Sequence, residues 1–159
     1  MPAFKNPPPF LSELLRFDGD SCSKQFLDKI RQYNSLFAFT SMGADIDRHI
    51  NEGGGPYVFK IHGQVYHRIG SLLPNRGATP KFAELYIHDT QNEVSNRINA
   101  VMNEDSEKDS GIDRDIADGL MKMLDEFNPL VQTFRMARDR LQNQGEERIA
   151  IRIVGAEKK

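Results

Sequence analysis

The residues whose types and spacing invite a chemical reading are the histidines, a glycine triplet and a run of cations among aromatic side chains. His62-Gly63-Gln64 lies between two stretches of β-forming residues. Two imidazoles flanking one bulky apolar residue on a strand can hold a divalent metal. Here glycine takes the middle position and glutamine the second, so a chain turn accounts for these residues better. His62 and His67 would face opposite sides of a continuous strand, and no third ligand stands near them, so no metal site is expected. Gly53-Gly54-Gly55 lacks the Gly-Lys-Ser/Thr ending that cradles nucleotide phosphates, which disfavours a bound nucleotide or other cofactor. Cys22 is the only cysteine and has one adjacent base, Lys24, so it reads as a passive thiol. A single cysteine excludes an internal disulfide and fits a reducing compartment. With four histidines in no recognisable nucleophile–base arrangement, no catalytic residue is expected.

The cations carry more. Between residues 56 and 88 the only acid is Glu84, against Lys60, Arg68, Arg76 and Lys81, with Tyr57, Phe59 and Tyr66 interleaved. Cations grip phosphates and exposed aromatic rings stack on bases. These four residues are therefore the candidate DNA-binding surface. No recognition-helix pattern accompanies them, so the expected ligand is single-stranded DNA, bound weakly and without sequence preference. A competing reading makes Val58, Phe59, Ile61 and Tyr66 sheet core with the charges on the wet face, and the isoelectric point near 6.1 leans that way. Arg135, Arg138 and Arg140 cluster near the carboxyl end. Arg135 and Asp139 stand at ion-pair spacing on a helix, so that group reads as a solvated face.

The elements that would position these residues follow from pattern. Prolines 2, 7, 8 and 9 predict an extended arm over 1–22, with a short helical turn possible at Leu11, Leu14 and Leu15. Phe26, Ile30, Tyr33 and Phe37 predict a helix over about 23–34, with Ser21 and Ser23 as caps. Strands are expected at 36–41, at 57–61 and 64–69 around a His62-Gly63 hairpin turn, and at 82–87. Val58, Ile61, Val65 and Tyr86 would form the core of that sheet. Asp89 or Thr90 can cap the next helix, and Thr90-x-x-Glu93 has capping-box spacing before the stripe Val94, Ile98, Val101 and Met102. The polar stretch 103–111 reads as a loop. The stripe Ile116, Leu120, Met123, Leu124 and Phe127 predicts the next helix. Asn128-Pro129 starts another, which carries Leu130, Phe134, Ala137 and Leu141 and stops at Gly145. Ile149, Ile151 and Ile153 alternate as a closing strand. The expectation is an α+β fold: a small antiparallel sheet over about 36–87, then two or three helices and a closing strand. It forms one domain over 23–154, flanked by the arm and a tail at 155–159.

Length and composition set the frame. A chain of 159 residues suits one domain with a real core. The net charge of −2 hides asymmetry: residues 1–88 carry +2, 89–128 carry −7 and 129–159 carry +3. No apolar run approaches the ~18–20 residues of a membrane span, and no charged segment followed by an apolar one opens the chain, so neither membrane insertion nor a signal peptide is expected.

Several runs resemble one family. They are Ile30-Arg31-Gln32-Tyr33-Asn34-Ser35-Leu36-Phe37-Ala38-Phe39-Thr40-Ser41-Met42-Gly43, then Gly55 through Gln64, and Tyr66 through Pro74. Pro80-Lys81-Phe82-Ala83, Leu85-Tyr86-Ile87, Asn92-Glu93-Val94, Asn96-Arg97-Ile98, Asn128-Pro129-Leu130-Val131 and Phe134 through Asp139 continue the match. Together they cover roughly 25–154, and the order is similar to that in plant Helitron transposases. Members of that family join a His-hydrophobic-His endonuclease with catalytic tyrosines to a superfamily 1 helicase. The resemblance places this chain in the segment before the nuclease. The cysteine-rich finger, the nuclease motif and the helicase phosphate loop have no counterpart here, so no catalytic residue carries over. The ending at Gly155-Ala156-Glu157-Lys158-Lys159 resembles a truncation, as of a transposon-derived or domesticated fragment. The resemblance implies a noncatalytic accessory segment in the nucleus that contacts DNA. A protein-interaction module, or a translated relic without DNA binding, is the alternative.

Overall fold

The computed structural model describes residues 6–46, 61–101, 111–144 and 151, with 42–46, 61–68 and 144 described by their backbone. Helix α1 spans Pro9–Leu14, α2 Ser21–Asp28 and α3 Ile30–Leu36. Strands β1 (Ser41–Ile46) and β2 (Ile61–Arg68) follow, then 3-10 helices at Phe82–Tyr86 and Thr90–Asn92. Helix α4 spans Glu93–Val101, α5 Arg114–Phe127 and α6 Pro129–Gln144.

The described chain is mostly helical, which corrects the expected α+β fold with its sheet over 36–87. Three helices precede the middle of the chain, and Leu36 ends α3 rather than opening a strand. His62 and Gly63 lie inside β2, not at a hairpin turn, because β2 pairs antiparallel with β1. Ile61 faces Ile46, His62 faces Asp45 and Arg68 faces Ser41. Those two strands hold all the strand residues among the described ones. Phe82–Tyr86 form a 3-10 helix, with Ile87 at its C-cap. A strand would have aligned Phe82, Glu84 and Tyr86 on one face. Instead Ala83, Tyr86 and Ile87 are buried together, at spacings of three and four, and Phe82 turns outward. Val58 and most of the 149–154 strand lie outside the described residues. Ile151 has no regular structure and packs on the core.

Local chemistry explains most boundaries. Pro9 stands in the first turn of α1, where its missing N–H costs nothing, so part of the expected extended arm is helical. Asp20 caps α2 by accepting from the Ser23 N–H at 3.0 Å. The Ser23 hydroxyl, expected as a cap, instead donates to the Glu13 carbonyl at 2.9 Å and ties α1 to α2. The single helix expected over 23–34 breaks at Lys29, which leaves the helical conformation at φ −117°. Asp113 caps α5, accepting from the N–H groups of Asp115 and Ile116.

Two apolar clusters form the core. The first joins Leu14, Phe26, Tyr33, Leu36 and Ile98 to Ile112, Ile116, Ala117 and Leu120 of the α5 region. The second joins Ala83, Tyr86 and Ile87 to Val131, Phe134 and Ala137 of α6. Helix α5 serves both: Met123 packs on the first and Leu124 on the second. Gly119 lets α1 approach α5, since a Cβ there would collide with the Phe10 ring.

The Asn128-Pro129 start of α6 stands as expected. Asn128 Oδ1 accepts from the Leu130 N–H at 2.9 Å and more loosely from the Val131 N–H at 3.4 Å. Asn128→Ala is expected to cost about 1 kcal/mol, within the ~0.5–2 kcal/mol of lost N-caps. For a domain of this size that lowers the Tm by roughly 2–4 °C. Thermal denaturation followed by circular dichroism measures it, and an unchanged Tm would remove the cap's role.

Candidate functional site

The four candidate DNA contacts fall differently. Lys60 lies outside the described residues. Arg68 ends β2, where its backbone pairs with Ser41. Arg76 and Lys81 are exposed on the segment between β2 and the 3-10 helix Phe82–Tyr86. Arg76 stands at the tip of a four-residue turn. The Ala78 N–H donates to the Asn75 carbonyl at 2.9 Å, and Gly77 supplies the φ of +82° that such a turn favours in glycine. The structure thus holds Arg76 and Lys81 on one exposed stretch of chain.

Lys81 opens onto a feature the sequence reading missed. Phe82 has φ +52°, a backbone region that costs a bulky residue ~1–3 kcal/mol, and it remains 37% exposed. Glu84 holds this geometry. One carboxylate oxygen accepts from the Lys81 N–H at 3.0 Å, and the other accepts from the Ser71 hydroxyl at 2.9 Å. Beside Phe82 is a cleft of about 260 Å³ between the 3-10 helix, α3 and α4. Leu85, Ala100 and Val101 supply apolar walls, Ser35 a hydroxyl, and Lys81 a cation. A second, larger groove of about 550 Å³ is apolar, lined chiefly by α1, α3 and α5 side chains such as Leu11, Ile30 and Met123, with Leu15 just beyond α1.

Behind the first cleft lies a buried ion cluster. Arg97 and Glu93 are 1% and 2% exposed, and Arg135 is 13% exposed. Arg97 donates twice to Glu93 Oε1, at 2.9 and 2.6 Å, and once to the Leu36 carbonyl at 2.6 Å. Arg135 donates to Glu93 Oε2 at 2.7 Å, to the Tyr86 carbonyl at 2.9 Å and to Asp125 at 2.8 Å. The Arg97 guanidinium lies 4.0 Å from the centre of the Tyr86 ring, a cation–π contact. Two guanidinium groups meet two carboxylates, so the cluster is charge-balanced, and among the described residues no buried side-chain nitrogen or oxygen lacks a partner.

This arrangement corrects two expectations. Glu93 spends its carboxylate on Arg97 and Arg135 instead of a capping box with Thr90; Asp89, the other expected cap, stands at the N-cap of the 3-10 helix Thr90–Asn92, with φ +47°. Arg135 pairs with Glu93 and Asp125 rather than Asp139, which bonds Arg138 instead. The Glu93–Arg97 pair was visible as i,i+4 spacing, but nothing local marked Arg135 as its third member.

The environment tunes several groups. Burial pushes the Tyr86 phenol up to about 12, although Arg97 pulls the other way. Burial also raises Tyr33, whose oxygen accepts from the Asp113 N–H. Burial pulls the Arg135 guanidinium down, yet its hydrogen bonds to Glu93 and Asp125 prevail and hold it above its ordinary value. Asp89 is lowered by the side-chain amides of Asn96 and Asn92. Cys22 is free and exposed. Among the described residues no three His, Cys, Asp or Glu side chains gather where a metal could sit.

What the fold and site define is a mostly helical module organised around a buried Arg–Glu–Arg cluster, with cations and one aromatic ring on the neighbouring surface. No described helix is long and apolar enough to cross a membrane. Comparisons with protein-family models, curated proteins and solved structures give no match.

Proposed function

We propose that the chain is a noncatalytic accessory module of a Helitron-like rolling-circle transposase, acting in the nucleus and contacting single-stranded DNA weakly and without sequence preference. The observation that carries the DNA contact is the exposure of Arg76 and Lys81 on a segment where Glu84 is the only acid and is engaged by Ser71 and the Lys81 N–H. The family assignment rests on the sequence resemblance over roughly 25–154. The buried Glu93, Arg97 and Arg135 spend their hydrogen bonds on one another and on backbone carbonyls, which suits a scaffold better than a reaction centre.

Fluorescence anisotropy with a labelled oligothymidine at low and moderate salt tests this. Each cation that grips a phosphate contributes about 0.7 to the salt slope for a single strand. The Lys60, Arg68, Arg76, Lys81 to alanine variant is expected to bind more weakly and to show a flatter slope. Parent-like binding by the folded variant would refute the surface. An absence of parent binding at low salt would favour the second reading, a protein-interaction module without a DNA role. That reading draws on the apolar α1–α3–α5 groove with Leu15 and Ile30 exposed at it, a place for an apolar segment of a partner protein.

A further inference from the structure

We infer that the cleft between the 3-10 helix Phe82–Tyr86 and α4 takes one unpaired base of single-stranded DNA, stacked on Phe82, with the adjoining phosphate at Lys81. The inference deepens the proposed DNA role and rests on it.

Size comes first. At about 260 Å³ the cleft falls below the ~300–1,000 Å³ of sites for drug-sized ligands, so it suits a single planar ring system rather than a larger body. Its chemistry is that of a base site. Phe82 offers an exposed aromatic ring, and every base has a π face to stack on it. Leu85, Ala100 and Val101 give the apolar surround. Ser35 donates its hydroxyl proton to the Arg31 carbonyl at 2.9 Å, so its oxygen can still accept from an amino or imino group on a base edge.

Charge selects the ligand further. Lys81 is a lining residue, and no carboxylate among the described residues lines the cleft. An uncharged aromatic ligand would leave that cation unused; a nucleotide within a strand supplies both the ring and the anion. Arg97 closes the floor but is committed to Glu93 and the Leu36 carbonyl, so it acts as a fixed wall and not as a phosphate grip.

Backbone geometry points the same way. Phe82 sits in the left-handed region, and the two hydrogen bonds to Glu84 hold the segment around it. Strain of this kind persists where the surroundings over-determine it, and its result here is an aromatic ring at the mouth of a cleft and not in the core.

The test compares a labelled oligothymidine with an abasic oligomer of equal length, using the full chain. The parent is expected to bind the oligothymidine about 5- to 150-fold more tightly, the range for one stacked base. Phe82→Leu should remove most of that preference while leaving the salt slope unchanged. Phe82→Tyr should keep it, and Lys81→Ala should flatten the slope by about 0.7. Equal parent binding to both oligomers, or full preference retained by Phe82→Leu, would overturn the base site while leaving the phosphate-contact reading standing. Binding of neither oligomer by the parent would overturn both.

Discussion

Glu93→Ala is expected to lower stability by about 3–5 kcal/mol, the cost of breaking a buried ion pair by removing one partner. The carboxylate accepts three hydrogen bonds from two guanidinium groups in the interior. Its removal leaves Arg97 with the Leu36 carbonyl and the faces of Tyr86 and Phe37. It leaves Arg135 with Asp125 and the Tyr86 carbonyl. Neither arginine can shed its charge; Arg135 keeps the Asp125 carboxylate, whereas Arg97 keeps none and must draw water into the core or leave it. At roughly 2–4 °C per kcal/mol, the Tm should fall by about 6–20 °C. Glu93→Gln keeps the shape but donates from one end of its amide, so it should fall in between. Urea denaturation of the three proteins checks the order, and a Glu93→Ala variant as stable as the parent would mean that the cluster contributes nothing.

The second large effect is alkaline. The Tyr86 phenol titrates near 12 in the fold and near 10 when unfolded. Between those values the unfolded chain has lost the proton that the native state still holds. Stability is therefore full below about pH 10 and declines as pH rises through 12. A displacement of about two pH units corresponds to roughly 2–3 kcal/mol. Tyr33 is raised as well and adds a loss of the same sign, so the difference between the parent and Tyr86→Phe isolates Tyr86. The phenylalanine variant loses the hydrogen bond from the Tyr86 hydroxyl to the Phe37 carbonyl, 2.8 Å long, and should be weaker at pH 8 by about 1 kcal/mol. Its deficit should shrink, and then reverse, as pH rises above 10. Parallel stability curves for the two proteins from pH 8 to 12 would refute the buried phenol.

What the sequence revealed follows the range of the forces involved. Asn128-Pro129 was legible because a cap and a proline act within one turn. The α5 stripe was legible for the same reason: Ile116, Leu120 and Met123 repeat at helical spacing. Residues 82–87 misled because Phe, Tyr and Ile favour strands on average, whereas α6 offered a surface that three residues at helical spacing could fill. Gly63 resembled a turn because glycine permits one, yet a strand also tolerates it. Thr90 and Glu93 had the spacing of a cap, but two arginines, one of them about 40 residues downstream, compete for the same carboxylate more strongly than a backbone N–H does. Of the site, the cations at 76 and 81 were legible from charge alone. The outward turn of Phe82 was not, because it depends on which neighbours fill the core first.

The Arg135 contact also has a consequence for how the chain is made. Glu93 and Arg97 leave the ribosome about 40 residues before Arg135. At ~5–20 residues per second, the nascent chain spends roughly 2–8 s with that carboxylate half-matched and without Val131 and Phe134 to cover Ala83 and Tyr86. The first apolar cluster gains its last buried member with Leu120, 15 residues before Arg135, so for about the final 1–3 s of that interval it can close while the second stays open. Co-translational folding therefore proceeds in two stages, and the arrival of α6 is the event that seals the domain.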